Sequence, residues 1–185
     1  MRRDLLDRHR SLRVLVNLLV ALVATYLVTM LWSALVALGD LTGDGIADLL
    51  GRDSTGKIWL YKGSGAGTFA ARVQIASGWS GYKILVGAGD LNGDGFGDVL
   101  ATDSSGSLWR FNGKLNGFAA PVKVGGGWQV YNAIIGIGDF NLDGHNDLVA
   151  RNPAGALFLY RGNGDGTFQA ALQIATGLQT YSKLF

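Results

Sequence analysis

Read for polarity, the chain divides near residue 30. From Val14 to Gly39 there is no charged side chain, and only weakly polar residues such as Asn17, Thr25 and Thr29 interrupt the apolar run. Beyond it, short apolar runs alternate with clusters of Gly, Asp, Asn and Ser. Runs of that kind, bounded by turn formers, predict strands and hairpins. In one stretch the predicted strands are Ile84–Ala88, Asp98–Thr102, Ser107–Phe111 and Pro121–Val124, with a turn at Ser104-Ser105-Gly106 and a close at Gly125-Gly126-Gly127. The run Lys57-Ile58-Trp59-Leu60-Tyr61 is apolar on both faces. A sheet with one wet face would alternate, so such strands are expected to be covered on both sides.

The pattern repeats. Asp40, Asp90 and Asp139 lie 50 and 49 residues apart, as do Trp59, Trp109 and Phe158. Phe69, Phe118 and Phe168 are spaced 49 and 50, and so are Trp79, Trp128 and Leu178 and the trio Tyr82, Tyr131 and Tyr181. The exchange of intervals puts a one-residue deletion in Gly113–Gly117, against Gly63–Gly67 and Gly162–Gly166. Four strands at such a period predict propeller-type blades. The expected fold is all-β: three four-stranded antiparallel blades preceded by an N-terminal hydrophobic helix. Residues 1–30 form the N-terminal segment and residues 31–185 the repeats, at about 31–80, 81–129 and 130–185, with Tyr181–Phe185 opening a fourth unit. Three blades do not close a ring. Self-association, a larger assembly or a place within a longer propeller protein is therefore expected.

Charge changes the picture at the N-terminus only. The formal net charge is +2, but residues 1–13 hold five arginines and two aspartates, so the remainder is slightly acidic. No basic footprint for nucleic acid exists in the repeats. A basic tail ahead of an apolar run reads as a signal peptide or membrane anchor, which predicts a secreted or cell-surface protein whose N-terminal segment engages the membrane. If the end of the run is already the first repeat strand, the targeting part shortens to Val14–Met30, short for a span and ample for a signal or signal-anchor. The nearest cleavage candidate is Leu22-Val23-Ala24, a poor one. There is no Cys and no Glu, and only two His. That leaves almost no material for a nucleophile–base or paired-acid design, so no enzyme is expected.

The chemistry that remains is a nine-residue acidic turn. Asp40-Leu41-Thr42-Gly43-Asp44-Gly45-Ile46-Ala47-Asp48 recurs from Asp90 to Asp98 and from Asp139 to Asp147. Each copy has oxygen-bearing side chains at positions 1, 3, 5 and 9 and glycine at position 6. Hard cations want six to eight oxygens, and a glycine turn lets a short loop curl round one. Ordinary Asx turns use the same residue types, but do not require this set three times over. An EF-hand is excluded, because position 12 holds Gly51, Ala101 and Ala150 in place of a bidentate acid.

With its flanks, Gly89-Asp90-Leu91-Asn92-Gly93-Asp94-Gly95-Phe96-Gly97-Asp98-Val99-Leu100 resembles the FG-GAP/VCBS repeat family of β-propellers, and Gly162-Asn163-Gly164-Asp165-Gly166-Thr167-Phe168 reinforces the resemblance. The resemblance implies that the loop joins the first two strands of a blade and holds calcium. The implied side-chain ligands are Asp40, Thr42, Asp44 and Asp48; Asp90, Asn92, Asp94 and Asp98; and Asp139, Asn141, Asp143 and Asp147. The carbonyls of Ile46, Phe96 and His145 are the implied backbone ligands. Thr42 is expected to make the first site the loosest, and Leu142, standing where the other loops have glycine, to strain the third. The expected function is an exported calcium-binding module for adhesion or binding of a glycan or protein ligand, or an accessory to a secreted enzyme. The alternative is a purely structural, self-associating assembly. The recurring aromatics are expected to pack blade on blade, with Trp79 and Trp128 the candidates for stacking on sugar rings.

Overall fold

The computed structural model of the chain describes residues 32–181. The predicted N-terminal helix and the targeting segment lie outside the described residues, as do residues 182–185 of the predicted fourth opening strand. Among the described residues no helix is long and apolar enough to cross a membrane.

Strands β1 (Trp32–Gly39), β2 (Asp48–Asp53), β3 (Ile58–Tyr61) and β4 (Val73–Ala76) form the first sheet. Strands β5 (Tyr82–Gly89), β6 (Asp98–Asp103), β7 (Leu108–Phe111) and β10 (Val122–Gly125) form the second, with a small hairpin, β8 (Gly113–Lys114) and β9 (Gly117–Phe118), inserted before its last strand. Strands β11 (Ala133–Gly138), β12 (Asp147–Arg151), β13 (Leu157–Tyr160) and β14 (Leu172–Ala175) form the third. Each sheet is an antiparallel meander in chain order. The three sheets are called blades 1, 2 and 3; the predicted Ile84–Ala88 and Asp98–Thr102 fall inside β5 and β6, while the predicted Ser107–Phe111 and Pro121–Val124 each begin one residue before β7 and β10.

Side-chain alternation assigns each blade two apolar faces. In blade 1, Val36, Leu38, Leu50, Ile58 and Leu60 point toward blade 2 and meet Val99, Ala101 and Phe111 there. In blade 2, Val86, Ala88, Leu100 and Leu108 point the other way and meet Ile134, Leu148 and Ala150 of blade 3. Every blade thus has a leading face, toward the preceding blade, and a trailing face. The double-sided apolar pattern of these strands is explained by this stacking.

A three-residue 3-10 turn closes each unit: Trp79–Gly81, Trp128–Val130 and Leu178–Thr180. Each follows a glycine in the left-handed region, Gly78, Gly127 and Gly177. The turn swings its first side chain over the next blade. Trp79 stacks on Phe111 with centroids 3.9 Å apart, and Trp128 on Tyr160 at 4.6 Å. Both indoles are buried, with 5 % and 6 % of their surface exposed. They pack blade on blade and present no face on which a sugar ring could stack, so the sugar-stacking expectation for Trp79 and Trp128 is corrected here.

Candidate metal loops

Each acidic turn joins the first strand of its blade to the second, as the repeat pattern requires. Position 9 starts the second strand and is buried: Asp48, Asp98 and Asp147 have almost no exposed surface. One oxygen of Asp48 accepts from the amides of Leu41 (2.9 Å) and Thr42 (3.1 Å), and the other from Gly63 (2.9 Å). Asp98 takes Leu91 (3.0 Å) and Gly113 (2.8 Å); Asp147 takes Phe140 (3.0 Å), Asn141 (3.3 Å) and Gly162 (2.9 Å). The carboxylate therefore clamps its own loop to the connection after the third strand. Burial pushes the Asp98 carboxyl up to about 6, helped by the charges of Asp94 and Asp90 and opposed by the two amides.

Position 1 folds the turn. Asp40 accepts from Thr42, Gly43 (2.7 Å) and Gly45 (2.6 Å); Asp90 accepts from Gly93 (2.7 Å), Asp94 and Gly95; Asp139 accepts from Asp143 and Gly144. Burial works against the Asp40 charge, but these amides outweigh it and hold its carboxyl below the usual value. Position 5 is exposed in all three loops, and Asp44, Asp94 and Asp143 each accept from the amide two residues on, that of Ile46, Phe96 or His145. At position 3, the Asn92 and Asn141 amides donate to Asp94 (2.9 Å) and Asp143 (2.7 Å), while the Thr42 hydroxyl lies 3.4 Å from Asp40. At position 7, Ile46 and His145 lie over the Gly-rich connections Gly63–Gly65 and Gly162–Gly164, and Phe96 reaches back to Gly43 of the preceding loop. Leu142 has φ +61°, where the equivalent Gly43 and Gly93 have +75° and +76°. A left-handed leucine is strained, and it is 88 % exposed, so no packing offsets the strain.

The loops differ in their counter-charges. Lys62 bridges Asp44 at 3.0 Å and, with the Ile46 amide, lowers its pKa. The equivalent residue in blade 3 is Arg161, which adds to the Asn141 and His145 hydrogen bonds in lowering that of Asp143. In blade 2 the same position holds Asn112, whose buried side-chain oxygen Oδ1 has no hydrogen-bond partner.

Among the described residues, no group of three or more acidic or histidine side chains is arranged to hold a metal ion. As they stand, positions 1, 3 and 5 are knitted to each other and to the loop amides, and position 9 is turned into the blade. The donor types suit calcium, but the full set of four side chains does not meet at one point. The loops do meet one another. The Gly97 amide donates to the Asp40 carbonyl (2.7 Å) and the Asn146 side chain to the Asp90 carbonyl (2.8 Å), so the three turns run in a row along one edge of the stack. A separate groove of about 540 Å³ lies beside β4, lined by Leu60, Lys62, Val73, Gln74, Ile75 and Asn116 among others, with no acid or histidine.

Sequence reading missed Arg52 and Arg151. Each sits at the end of the second strand and donates to two carbonyls of the closing turn: Trp79 and Tyr82 for Arg52, Leu178 and Tyr181 for Arg151. The available signal was a basic residue four positions after the last loop aspartate, in two repeats of three.

No curated protein matches the chain. Among solved structures, the crystal structure of human WBSCR16 is similar at a TM-score of 0.38 and 13 % identity, covering 78 % of this chain and 38 % of that one. A pore structure of the Photorhabdus luminescens Tc holotoxin is similar at 0.31 and 20 % identity, over 78 % of this chain and 9 % of that one. The chain thus spans well under half the length of either. The model of the FG-GAP-like repeat matches three consecutive segments, residues 40–101, 90–150 and 139–183, each starting on the first aspartate of an acidic turn. With three such matches running through three sheets of one design, the chain belongs to the FG-GAP-like repeat family.

Proposed function

We propose that the chain is an exported, non-catalytic binding module whose row of acidic turns takes calcium and contributes to a ligand-binding or adhesive edge. The observation that carries the reading is the row itself: three exposed position-5 aspartates, Asp44, Asp94 and Asp143, on loops tied to one another along one edge. A calcium ion would neutralise each group of acids, and Asp, Asn and Thr oxygens are the donors it prefers. Binding then requires the position-3 and position-5 side chains to turn from each other toward a shared ion. Loop 2 is the first to fill, because Lys62 and Arg161 already offset the acids of loops 1 and 3 while blade 2 has Asn112. The Arg-rich tail and apolar run of residues 1–30 support export, and a glycan or a protein surface is the expected ligand class.

Calorimetric titration of the full chain with calcium, paired with melting curves in calcium and in chelator, tests the metal. Calcium is expected to raise the melting temperature by mass action, D94N to lose most of that rise, and Lys62→Ala to tighten the first loop. Equal melting in calcium and chelator would remove calcium from the reading. A glycan array read in calcium tests the ligand class, with protein ligands next if the array is blank.

A further inference from the structure

Consecutive blades approach most closely at their first strands. Gly87 of β5 pairs with Val99, Gly136 of β11 with Leu148, and the same register in β1 pairs Ala37 with Leu49. A methyl group built on Gly87 would overlap the carbonyl oxygen of Ala37 in the preceding blade, and one on Gly136 the carbonyl oxygen of Gly87. Both obstacles are backbone, which cannot turn aside as a side chain does. Glycine is therefore a condition for docking a leading face onto the blade before it. Blade 1 breaks that condition with Ala37, which is exposed.

The same two faces, which no described blade covers, differ from the covered ones in exposure, and at two further positions in residue type. On the leading face of blade 1, Leu35 is 59 % exposed, whereas its counterpart Ile134 is buried against blade 2. The Trp32 ring lies over Gly51, where the other blades have Ala101 and Ala150. On the trailing side of blade 3, the closing turn carries Leu178 in place of the indoles of Trp79 and Trp128. Phe140 is 59 % exposed there, although Leu41 and Leu91 at the same loop position are 0 % and 3 % exposed beneath the next blade.

We infer that Ala37 bars a second copy of this chain from stacking head-to-tail, leading face of blade 1 on trailing face of blade 3, and that Leu178 weakens the same junction from the other side. A blade that follows blade 3 in the established geometry has glycine at the Ala37 position and so is not blade 1 of another copy. Heterologous contacts build closed rings or open filaments, and a single methyl at the tightest point of the junction prevents both here.

The test is sedimentation velocity on the full chain in mild detergent across a range of concentrations, with the wild type, A37G and the double variant A37G with L178W. The wild type is expected to keep one mass, and the double variant to grow into dimers and longer species as concentration rises, with A37G alone between them. Adding Phe140→Asp to the double variant should return it to the wild-type mass, since an exposed phenylalanine leaves the fold intact when replaced. Two results overturn the inference. One is a wild type that itself grows with concentration and is stopped by F140D; the other is an A37G and a double variant that both keep the wild-type mass throughout.

Discussion

Asp53 and Asp103 are the last residues of the second strands β2 and β6, where the sequence suggests no more than a polar tip. Each is a hub. One oxygen of Asp103 accepts from Ser105 (amide and hydroxyl) and the Ser107 amide, and the other from the Trp109 indole at 2.8 Å. Asp53 serves Thr55, Lys57 and Trp59 in the same way. In the third repeat Trp becomes Phe158, which has no N–H to give, and Asp becomes Asn152. The two positions thus change together within one chain, as a hydrogen-bonded pair should. D103N and W109F are each expected to lower stability, and the double variant to lose less than their sum, in a urea-denaturation cycle. The sign of the pH effect follows. Hydrogen bonds from Ser105 and Trp109 hold the Asp103 carboxyl well below its ordinary value of 3.8. Its stabilising part is therefore complete above that ordinary value and is lost as pH falls below it, and D103N should flatten the acid limb of the stability curve. Additive single losses, or an unchanged acid limb, would count against the pair.

Elements show the same mixture of what the amino acids announce and what they conceal. The strands were legible because apolar runs between glycines and aspartates have only a few ways to fold, and the 50-residue period fixed their grouping. The 3-10 turns were not, because three residues give no period to read. Trp79 and Trp128 beside glycines could equally have faced solvent, and burial decided it. The β8–β9 hairpin is another concealed element. The one-residue deletion there was visible, but Asn116 at φ +59° closing a two-stranded turn was not. Of the candidate loop residues, positions 1, 3 and 5 are tied by hydrogen bonds to one another and to the loop amides. Position 9 could not be placed from spacing alone, because its partners Gly63, Gly113 and Gly162 lie 15 residues on. Arg52 shows how strongly such distant ties matter. Its guanidinium holds the Trp79 and Tyr82 carbonyls and so anchors the closing turn of blade 1 to β2, a task that falls to no arginine in blade 2, where Thr102 stands. Arg52→Ala strips a charged donor from these carbonyls and should cost about 2–3 kcal/mol by urea denaturation. Arg52→Lys should recover only part of it, because one ammonium does not reproduce the planar fork.

For the molecule as a whole, each blade packs on its chain neighbours, so stability is close to a sum of blade terms and junction terms, as in other repeat arrays. Blade 2 has two junctions. Its strand β6 runs through the middle of both, and residues Asp98–Thr102 are all buried. The outer strands β4, β10 and β14 expose Val73, Val122 and Leu172, and β4 and β10 reach the junction cores only through the partly buried Ile75, Ala76 and Val124. Amide exchange should therefore be slowest in β6 and fastest in the outer strands, and the junctions should be separable. Trp79 fills the first junction against Phe111 and Phe118, and Trp128 the second against Tyr131 and Tyr160. Truncating a buried tryptophan to alanine costs about 3–5 kcal/mol, a large share of what holds a marginal domain together. W79A should lower protection in β1–β3 while sparing β11–β13, and W128A should do the reverse. Each should split a single unfolding transition into two, one for the released blade and one for the remaining pair. Native-state hydrogen exchange read by mass spectrometry distinguishes this from a single cooperative core. If either variant lowered protection evenly across all three blades, the junctions would not be independent, and the blades would have to be treated as one inseparable unit.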